Sequence, residues 1–586
     1  MPRRFAFLAL FFLGSVAGAK SAGAQVVDSS VTIAMRDGVV LRATLLRPSI
    51  GGRFPTLVYR TPYGAAAAVR GDSIFSRAVG RGYAVVVQDV RGRYRSDGRF
   101  DPYRQEGRDG YDTIEWAAAQ PWSTGEVGTF GLSYPGAVQW LAAVESPPHL
   151  KAMVPAMTFS RPDNFWYAGG VLDLSWISWI WFNIAPDERR RRNLAGPRTG
   201  REARAAWDSL GPLLLARQPA TDVPEIAEVA PWYVEWLSHP PNDPWWRWAD
   251  LRWRYGRTNV AVLNISGWHD EAYGPEGAVT NFLGLLASRS RERHPRTFLV
   301  LGPWEHGASA INDRSAGASS GERVFGAVAG LDYDELVLRF MDRYVRGLDN
   351  GVDRDPPVKV FVMGENRWRS ADRWPLPDIT PLRLSLGRQA DGRGTLGDAP
   401  PAAGSWTIVT DPATPVVDPY EAAYGAHDYR ALAAHPGVMV FDSEPFVRDT
   451  RVVGRIEVRL TVSINVPDAD VYVRLFDVEP GDTSWNLMSP GLEVTRLSAR
   501  ADTSARAAPL RPNELVEVTV GHHLTGNLFR AGHRLRAVVM PSFFPHFSVN
   551  PQTGQRETET SARRAGNLTV HYGPDRESYL LLPVVR

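Results

Sequence analysis

Between residues 54 and 154 short apolar runs alternate with stretches of helical period: PTLVYR, GYAVVVQD, GYDTIEWAAAQ, EVGTFG, and then GAVQWLAAVES, closed by Pro147 and Pro148. Ala84 to Val87 is apolar at every position, which suits a strand covered on both faces. The alternation therefore predicts a parallel sheet flanked by helices. It resumes at TNVAVLNIS (258–266), passes through a helix in which Val279, Phe282, Leu283 and Leu286 form one stripe, and reaches RTFLVLG (296–302). After GLDNGVDRDPP (347–357) the period changes to two. Past Gly454, Ile456, Val458, Leu460, Val462 and Ile464 alternate with Glu457, Arg459, Thr461 and Ser463, the mark of a strand with one buried face. ELVEVTVG, HRLRAVVM and YLLLPVV continue this without helical interludes, predicting an antiparallel, jelly-roll-like sandwich.

Between the two α/β stretches lies an insert holding eleven of the 20 tryptophans. Its segment FWYAGGVLDLSWISWIWFNI (165–184) is apolar enough to suggest a membrane helix, but Asp173 and the paired glycines predict a buried cap helix instead. The fold class expected is α/β: a core over 25–158 and 256–350, a Trp-rich helical cap over 159–255, and an all-β sandwich over 351–586. A cap rich in aromatic side chains over a sheet makes an apolar pocket. Most of these tryptophans are expected to fill the cap's own core. Trp166 and Trp176 are the candidates for the pocket wall, with Tyr273 from the α/β core.

Composition narrows the class. At 586 residues, 44% hydrophobic and 22% charged, the chain has material for several cores, and disorder is excluded. Residues 1–24 carry Arg3 and Arg4, an apolar run from Phe5 to about Val16, and Ala22-Gly23-Ala24, the pattern of a cleavable export leader. The run is shorter than the ~20 apolar residues that span a bilayer, so no stable membrane insertion is expected after cleavage behind Ala24. Sec and twin-arginine export both stay open. The protein is expected in the periplasm or outside the cell. The leader removes three of 66 basic side chains, leaving 63 against 64 acidic ones, so no basic face for nucleic acid is expected. Without cysteine there are no disulfides, thiolate zinc sites or cysteine nucleophiles. No cofactor or metal is expected: His522 and His523 are adjacent rather than at ligand spacing, and Asp468 and Asp470 read as a polar turn.

The chemistry is carried by GTFGLSYPGAVQW (128–140), a serine among glycines between a predicted strand and a predicted helix. A sharp strand-to-helix turn needs small neighbours and holds its central side chain outward. Ser133 is therefore the candidate nucleophile. A serine hydroxyl needs an imidazole to take its proton and a carboxylate to hold that imidazole in one tautomer. Asp270, in SGWHDEAYG, and His306, in LGPWEHG, both follow predicted strands of the same sheet, and the order Ser, Asp, His is that of α/β-hydrolases. His269 is a poor substitute, because adjacent residues in an extended segment point apart. Tyr63 sits in the loop after PTLVYR, the place from which such enzymes bring a second oxyanion donor. Arg91 and Arg93 in DVRGR are expected to tie loops together.

The chain resembles the cocaine-esterase-like hydrolases, a family that also takes in α-amino-acid ester hydrolases, glutaryl-cephalosporin acylases and X-prolyl dipeptidyl peptidases. The carriers are RTPYG (60–64), VVVQDVRGRYRSDGRF (85–100), EGRDGYDTIEWAAAQPWSTGEVGTFGLSYPG (106–136), SGWHDEAYG (266–274), LGPWEHG (301–307), VKVFVMGENRWRSADRWP (358–375) and AGHRLRAVVMPSFFP (531–545). The resemblance implies an α/β-hydrolase core and an acyl-enzyme mechanism on small ester or amide substrates. Ser133 is then nucleophile, His306 general base and Asp270 its orienting carboxylate, with the Tyr63 hydroxyl and Tyr134 N–H as oxyanion hole. X-prolyl dipeptidyl aminopeptidase and α-amino-acid ester hydrolase are the alternatives within enzymes. A carbohydrate-binding surface protein with an inactive core is the alternative outside them. Relatives acting on α-amino esters place carboxylates two and three positions beyond the catalytic aspartate. Those positions are Ala272 and Tyr273 here, which predicts a neutral acyl group unless another acid compensates: Glu271 and Glu276 lie close but on either side of a turn that leaves their direction unassigned, and Asp173 is in the cap.

Overall fold

The computed structural model describes residues 25–586 apart from 163–164, 291–295, 422, 489–491 and 500–507. The expected export leader lies outside the described residues. A ten-stranded sheet is built from β1 (Gln25–Ala34), β2 (Val40–Pro48), β3 (Phe54–Thr61), β4 (Ala84–Asp89), β5 (Ser123–Leu132), β6 (Leu150–Ala156), β7 (Ala261–His269), β8 (Thr297–Glu305), β9 (Val358–Val362) and β10 (Arg367–Ala371). Its spatial order is β1-β2-β4-β3-β5-β6-β7-β8-β9-β10. The run from β4 to β9 is parallel, and antiparallel strands close both edges. All six residues of β4 are buried because alternate side chains feed two different cores: Ala84 and Val86 one, Val85 and Val87 the other. That is why the strand shows no polar alternation.

The helix α1 (Glu106–Ala118) and the helix α2 (Tyr134–Ala143) cover one face, packing Ile114, Ala117, Ala137 and Leu141 into the same core as Val86. In α3 (Glu276–Ser288) Val279 and Phe282 are buried as expected, but Leu285 is buried in place of Leu283, which is 38% exposed. The stripe is turned by one position. β9 and β10 lie beyond residue 350, and β9 pairs with β8, so the sheet runs on to Ala371. The Gly/Asp/Pro-rich stretch before them is a connection within the sheet.

The cap also differs from its expectation. Residues 165–184 form a two-residue hairpin (Tyr167–Ala168 with Val171–Leu172), a short helix (Ser175–Trp179) and a π turn (Ile180–Ile184). Gly169 and Gly170, at φ 52° and 90°, make the hairpin turn, and a Cβ on Gly169 would meet the Val494 carbonyl oxygen at 1.9 Å. Backbone crowding against the C-terminal domain decides this break. Most cap tryptophans join the core that α1 and α2 face. Among the described residues no helix is long and apolar enough to cross a membrane.

The C-terminal β-sandwich packs Val458, Leu460 and Val462 against Leu568, Leu580 and Leu582. Gly454 takes φ 135° and Ile456 separates two strands, Thr450–Arg455 and Glu457–Ile464, which share Tyr579–Val585 as a neighbour but otherwise pair with Leu524–Phe529 and with Val516–Val520 and Gly566–Tyr572 respectively. The sandwich is fastened to the core where Met363 N–H donates to the Gly526 carbonyl and Arg455 pairs with Glu276.

Candidate active site

β5 ends at Leu132 and α2 begins at Tyr134, so Ser133 alone turns the chain, with φ 67° and ψ −126°. Such a conformation is rare for a residue with a Cβ and persists only where its surroundings impose it. The Ser133 N–H donates to the Ala156 carbonyl at 3.0 Å, and its own carbonyl accepts the N–H groups of Gly136 and Ala137 at 2.9 and 3.0 Å. The flanking glycines provide room. A Cβ on Gly131 would stand 2.5 Å from the Pro135 Cβ, and one on Gly136 would stand 2.8 Å from the Ala156 carbonyl oxygen.

The ends of β3, β5, β7 and β8 share one edge of the sheet, because these strands are parallel. Tyr63, Ser133, Asp270 and His306 follow those four ends. Asp270 is fully buried and its Oδ1 lies 2.9 Å from His306 Nδ1. The Ala272 N–H donates to Asp270 Oδ1 at 3.2 Å and the Ser266 hydroxyl to Oδ2 at 3.3 Å, so the carboxylate is aimed from both sides. Engagement of Nδ1 leaves Nε2 as the ring nitrogen able to take a proton. Burial opposes charge on His306, but the Asp270 charge and hydrogen bond, helped by Glu271, outweigh it and raise the histidine above its ordinary pKa.

Ser133, His306 and Tyr63 line one cavity of about 940 Å³, with Asp270 behind the imidazole. Tyr63 Oη accepts the Trp179 indole N–H at 3.1 Å. Tyr134 is the first residue of α2, so its N–H has no acceptor within the helix. Its side chain anchors that position: the hydroxyl donates to Glu106 Oε1 at 2.8 Å and accepts the Tyr103 N–H at 3.2 Å.

Trp176 and Tyr273 line the cavity. Tyr273 stacks on Phe165 at 4.7 Å, and its ring lies 5.5 Å from that of His306. Trp166 is corrected: it is 2% exposed, outside the lining, and wedged among Phe165, Trp176, Trp246 and Trp248. Its position beside a hairpin, rather than in a continuous helix, turns it into the cap core. Sequence reasoning missed Phe165, Trp179, Tyr424 and His546 and left the direction of Glu271 unassigned; all five also line the cavity. Only Glu271, next to Asp270, had a signal in its spacing. Its Oε2 accepts the His306 backbone N–H at 3.1 Å, and burial holds its carboxyl well above the usual range. Asp173 faces the same cavity from the cap, raised by burial and steadied by the Ser175 N–H at 2.7 Å.

The other candidates fall elsewhere. His269 is buried away from the cavity, with Nε2 3.2 Å from the Asn486 carbonyl, and burial lowers its pKa to about 4. Arg91 pairs with Asp109 and Asp37, and Arg93 bonds the Pro62 carbonyl, so both tie loops together. Asp468 and Asp470 form no solvated turn; they are buried with Arg496 and Asn550. A second hollow of about 660 Å³, bordered by Lys151, Arg257 and Arg296, opens at the amino ends of the strands, opposite the serine.

Residues 37–308 match the X-Pro dipeptidyl-peptidase (S15 family) and residues 350–581 the X-Pro dipeptidyl-peptidase C-terminal non-catalytic domain. The cocaine esterase of Rhodococcus sp. (strain MB1 Bresler) is 31% identical over 591 residues, covering 96% of this chain and 99% of that protein. The chain belongs to this S15, cocaine-esterase-like family of serine hydrolases. It is therefore an enzyme of that class. Two solved structures share the fold. An aminopeptidase from a marine sediment archaeon, Thaumarchaeota archaeon, superposes with a TM-score of 0.79 at 23% identity over 98% of both chains. An α-amino acid ester hydrolase gives 0.78 at 24% identity over 97% of this chain and 98% of its own.

Proposed function

We propose that the chain is an exported hydrolase that cleaves ester or amide bonds of small acyl substrates through an acyl-enzyme. Ser133 Oγ attacks the carbonyl carbon as His306 Nε2 takes its proton, and Asp270 holds the imidazolium that forms. The Tyr63 hydroxyl and Tyr134 N–H receive the oxyanion. Collapse expels the alcohol or amine, which takes the proton from His306, and water then repeats the sequence on the acyl group. The observation that carries this reading is the convergence on one cavity of a serine at a strained turn and an imidazole tied to a buried carboxylate. Export rests on the leader of residues 1–24, and N-terminal sequencing of the mature protein should begin at Gln25. A fluorophosphonate should label the folded protein stoichiometrically, with the adduct mapped to Ser133. A folded protein that resists the label would leave the carbohydrate-binding reading in its place.

Asp173 and Glu271 favour a second reading of the substrate. Ala272 and Tyr273 withhold the carboxylates that α-amino ester relatives carry, yet these two acids bring carboxyl groups to the same cavity from other positions. Burial raises both carboxyls above their usual range, and an ammonium beside them would favour their charged form and gain a partner. On this reading the ratio of kcat/KM for an α-amino ester to that for its neutral analogue falls from pH 6 to 9, as the substrate amine deprotonates near ~8. Asp173→Asn should flatten that slope. A ratio independent of pH in the wild-type enzyme, below one throughout, would return the assignment to neutral acyl groups.

A further inference from the structure

A phenol has one proton to give and lone pairs to receive. At Tyr63 the oxygen receives the indole N–H of Trp179 at 3.1 Å, and the residue lines the cavity together with Ser133. With the indole proton on one lone pair, the phenol's own proton is turned away from Trp179 and left for the cavity side. We propose that Trp179 is a positioning residue, whose N–H aims the Tyr63 proton at the place where the substrate carbonyl oxygen becomes negative. This rests on the assignment of Tyr63 to the oxyanion hole.

The indole is itself held in direction. Trp179 closes the short helix Ser175–Trp179, directly before the π turn Ile180–Ile184. Its ring lies parallel to that of Tyr134, 6.2 Å between centroids and 7° between planes, while Trp176 meets it edge-on at 5.3 Å. The main chain beneath Tyr63 is tied to the same piece of cap. Arg93, fully buried, donates from Nε to the Pro62 carbonyl at 3.0 Å, from Nη2 to the Asn183 carbonyl at 3.0 Å and from Nη1 to the Ile184 carbonyl at 3.2 Å. One guanidinium thus clamps the loop that carries Tyr63 to the turn that follows Trp179. The cap is thereby joined to the reacting centre at two points, one through main chain and one through the indole.

A donor to the phenolic oxygen also polarises the O–H and strengthens the bond that it gives. That strengthening matters most once the acceptor carries charge, so it belongs to the transition state and shows in kcat. A tryptophan that only packs would not act through the Tyr63 hydroxyl.

The test is a double-mutant cycle on a neutral p-nitrophenyl ester with wild type, Trp179→Phe, Tyr63→Phe and the double variant. Trp179→Phe is expected to lower kcat about tenfold, the worth of one hydrogen bond, with KM within about twofold. In the Tyr63→Phe background the same change should cost nothing further. Replacement of Trp179 by benzothienylalanine, which exchanges the N–H for sulfur in a ring of the same shape, should reproduce the loss while keeping the packing. Equal losses in both backgrounds, or an unchanged kcat in the benzothiophene protein, would overturn the proposal and leave Tyr63 in its role. A Tyr63→Phe enzyme with wild-type turnover would remove both.

Discussion

Ser133→Ala, His306→Ala and Asp270→Asn are each expected to lower kcat by roughly 10³ to 10⁶, and their losses should not add, because the three side chains act as one unit. Stability should change little for Ser133→Ala, since the turn is held by main-chain bonds to Ala156, Gly136 and Ala137 rather than by the hydroxyl. The pH profile carries a further check. The base works when neutral, and its partners hold His306 above the ordinary histidine pKa near ~6.5, so kcat/KM should be present at higher pH and be lost as pH falls through that raised value. In Asp270→Asn the remaining activity should keep its acid limb at a lower pH, because burial then opposes the imidazolium without the Asp270 charge. A Ser133→Ala enzyme that turns over substrate at near wild-type rate would end the assignment.

The parts of this molecule legible in the sequence are those set by local period. β3 to β5, β7 and β8 announce themselves because strands buried on both faces carry apolar runs with no polar alternation. The four strand-end residues could be placed at one edge for the same reason: in a parallel sheet all carboxyl ends face one way. β1 and β2 were not read, since β1 is largely exposed and irregular, with a register shift between Asp28 and Val31. β9 was hidden behind a stretch that looks like a linker, and only its pairing with β8 assigns it to the hydrolase sheet.

The cap shows what local period cannot supply. Trp166 and Trp176 are equally apolar and ten positions apart, yet one fills the cap core and the other lines the cavity. The difference comes from the Gly169–Gly170 turn, itself forced by the approach of Val494, more than 300 residues away in the chain. Asp173 was legible as an argument against a membrane span and as an acid available to an amino substrate from the cap. Its place in the cavity depends on that turn and on the sandwich segment whose His546 carbonyl accepts the Leu174 N–H at 2.9 Å. Long-range packing of this kind leaves no trace in spacing.

Tyr63→Phe is expected to lower kcat by about 10² to 10³ with little change in KM. The ring would stay where it is, since it packs edge-on to Tyr134 at 6.5 Å and its loop remains tied through Arg93 to the cap. What is lost is a hydroxyl that in the free enzyme accepts the Trp179 N–H and keeps its own proton to give. In the ground state the substrate carbonyl oxygen is a weak acceptor, and the phenol gains little by donating to it. In the tetrahedral intermediate that oxygen carries a full charge in a cavity walled by aromatic rings, where a charge-assisted bond is worth roughly twice a neutral one. The difference between the two states appears in kcat, and KM reports only the first. If KM rises instead while kcat holds, Tyr63 is a ground-state contact. The hydroxyl of Tyr273, which lines the same cavity, then becomes the donor to test by the same substitution.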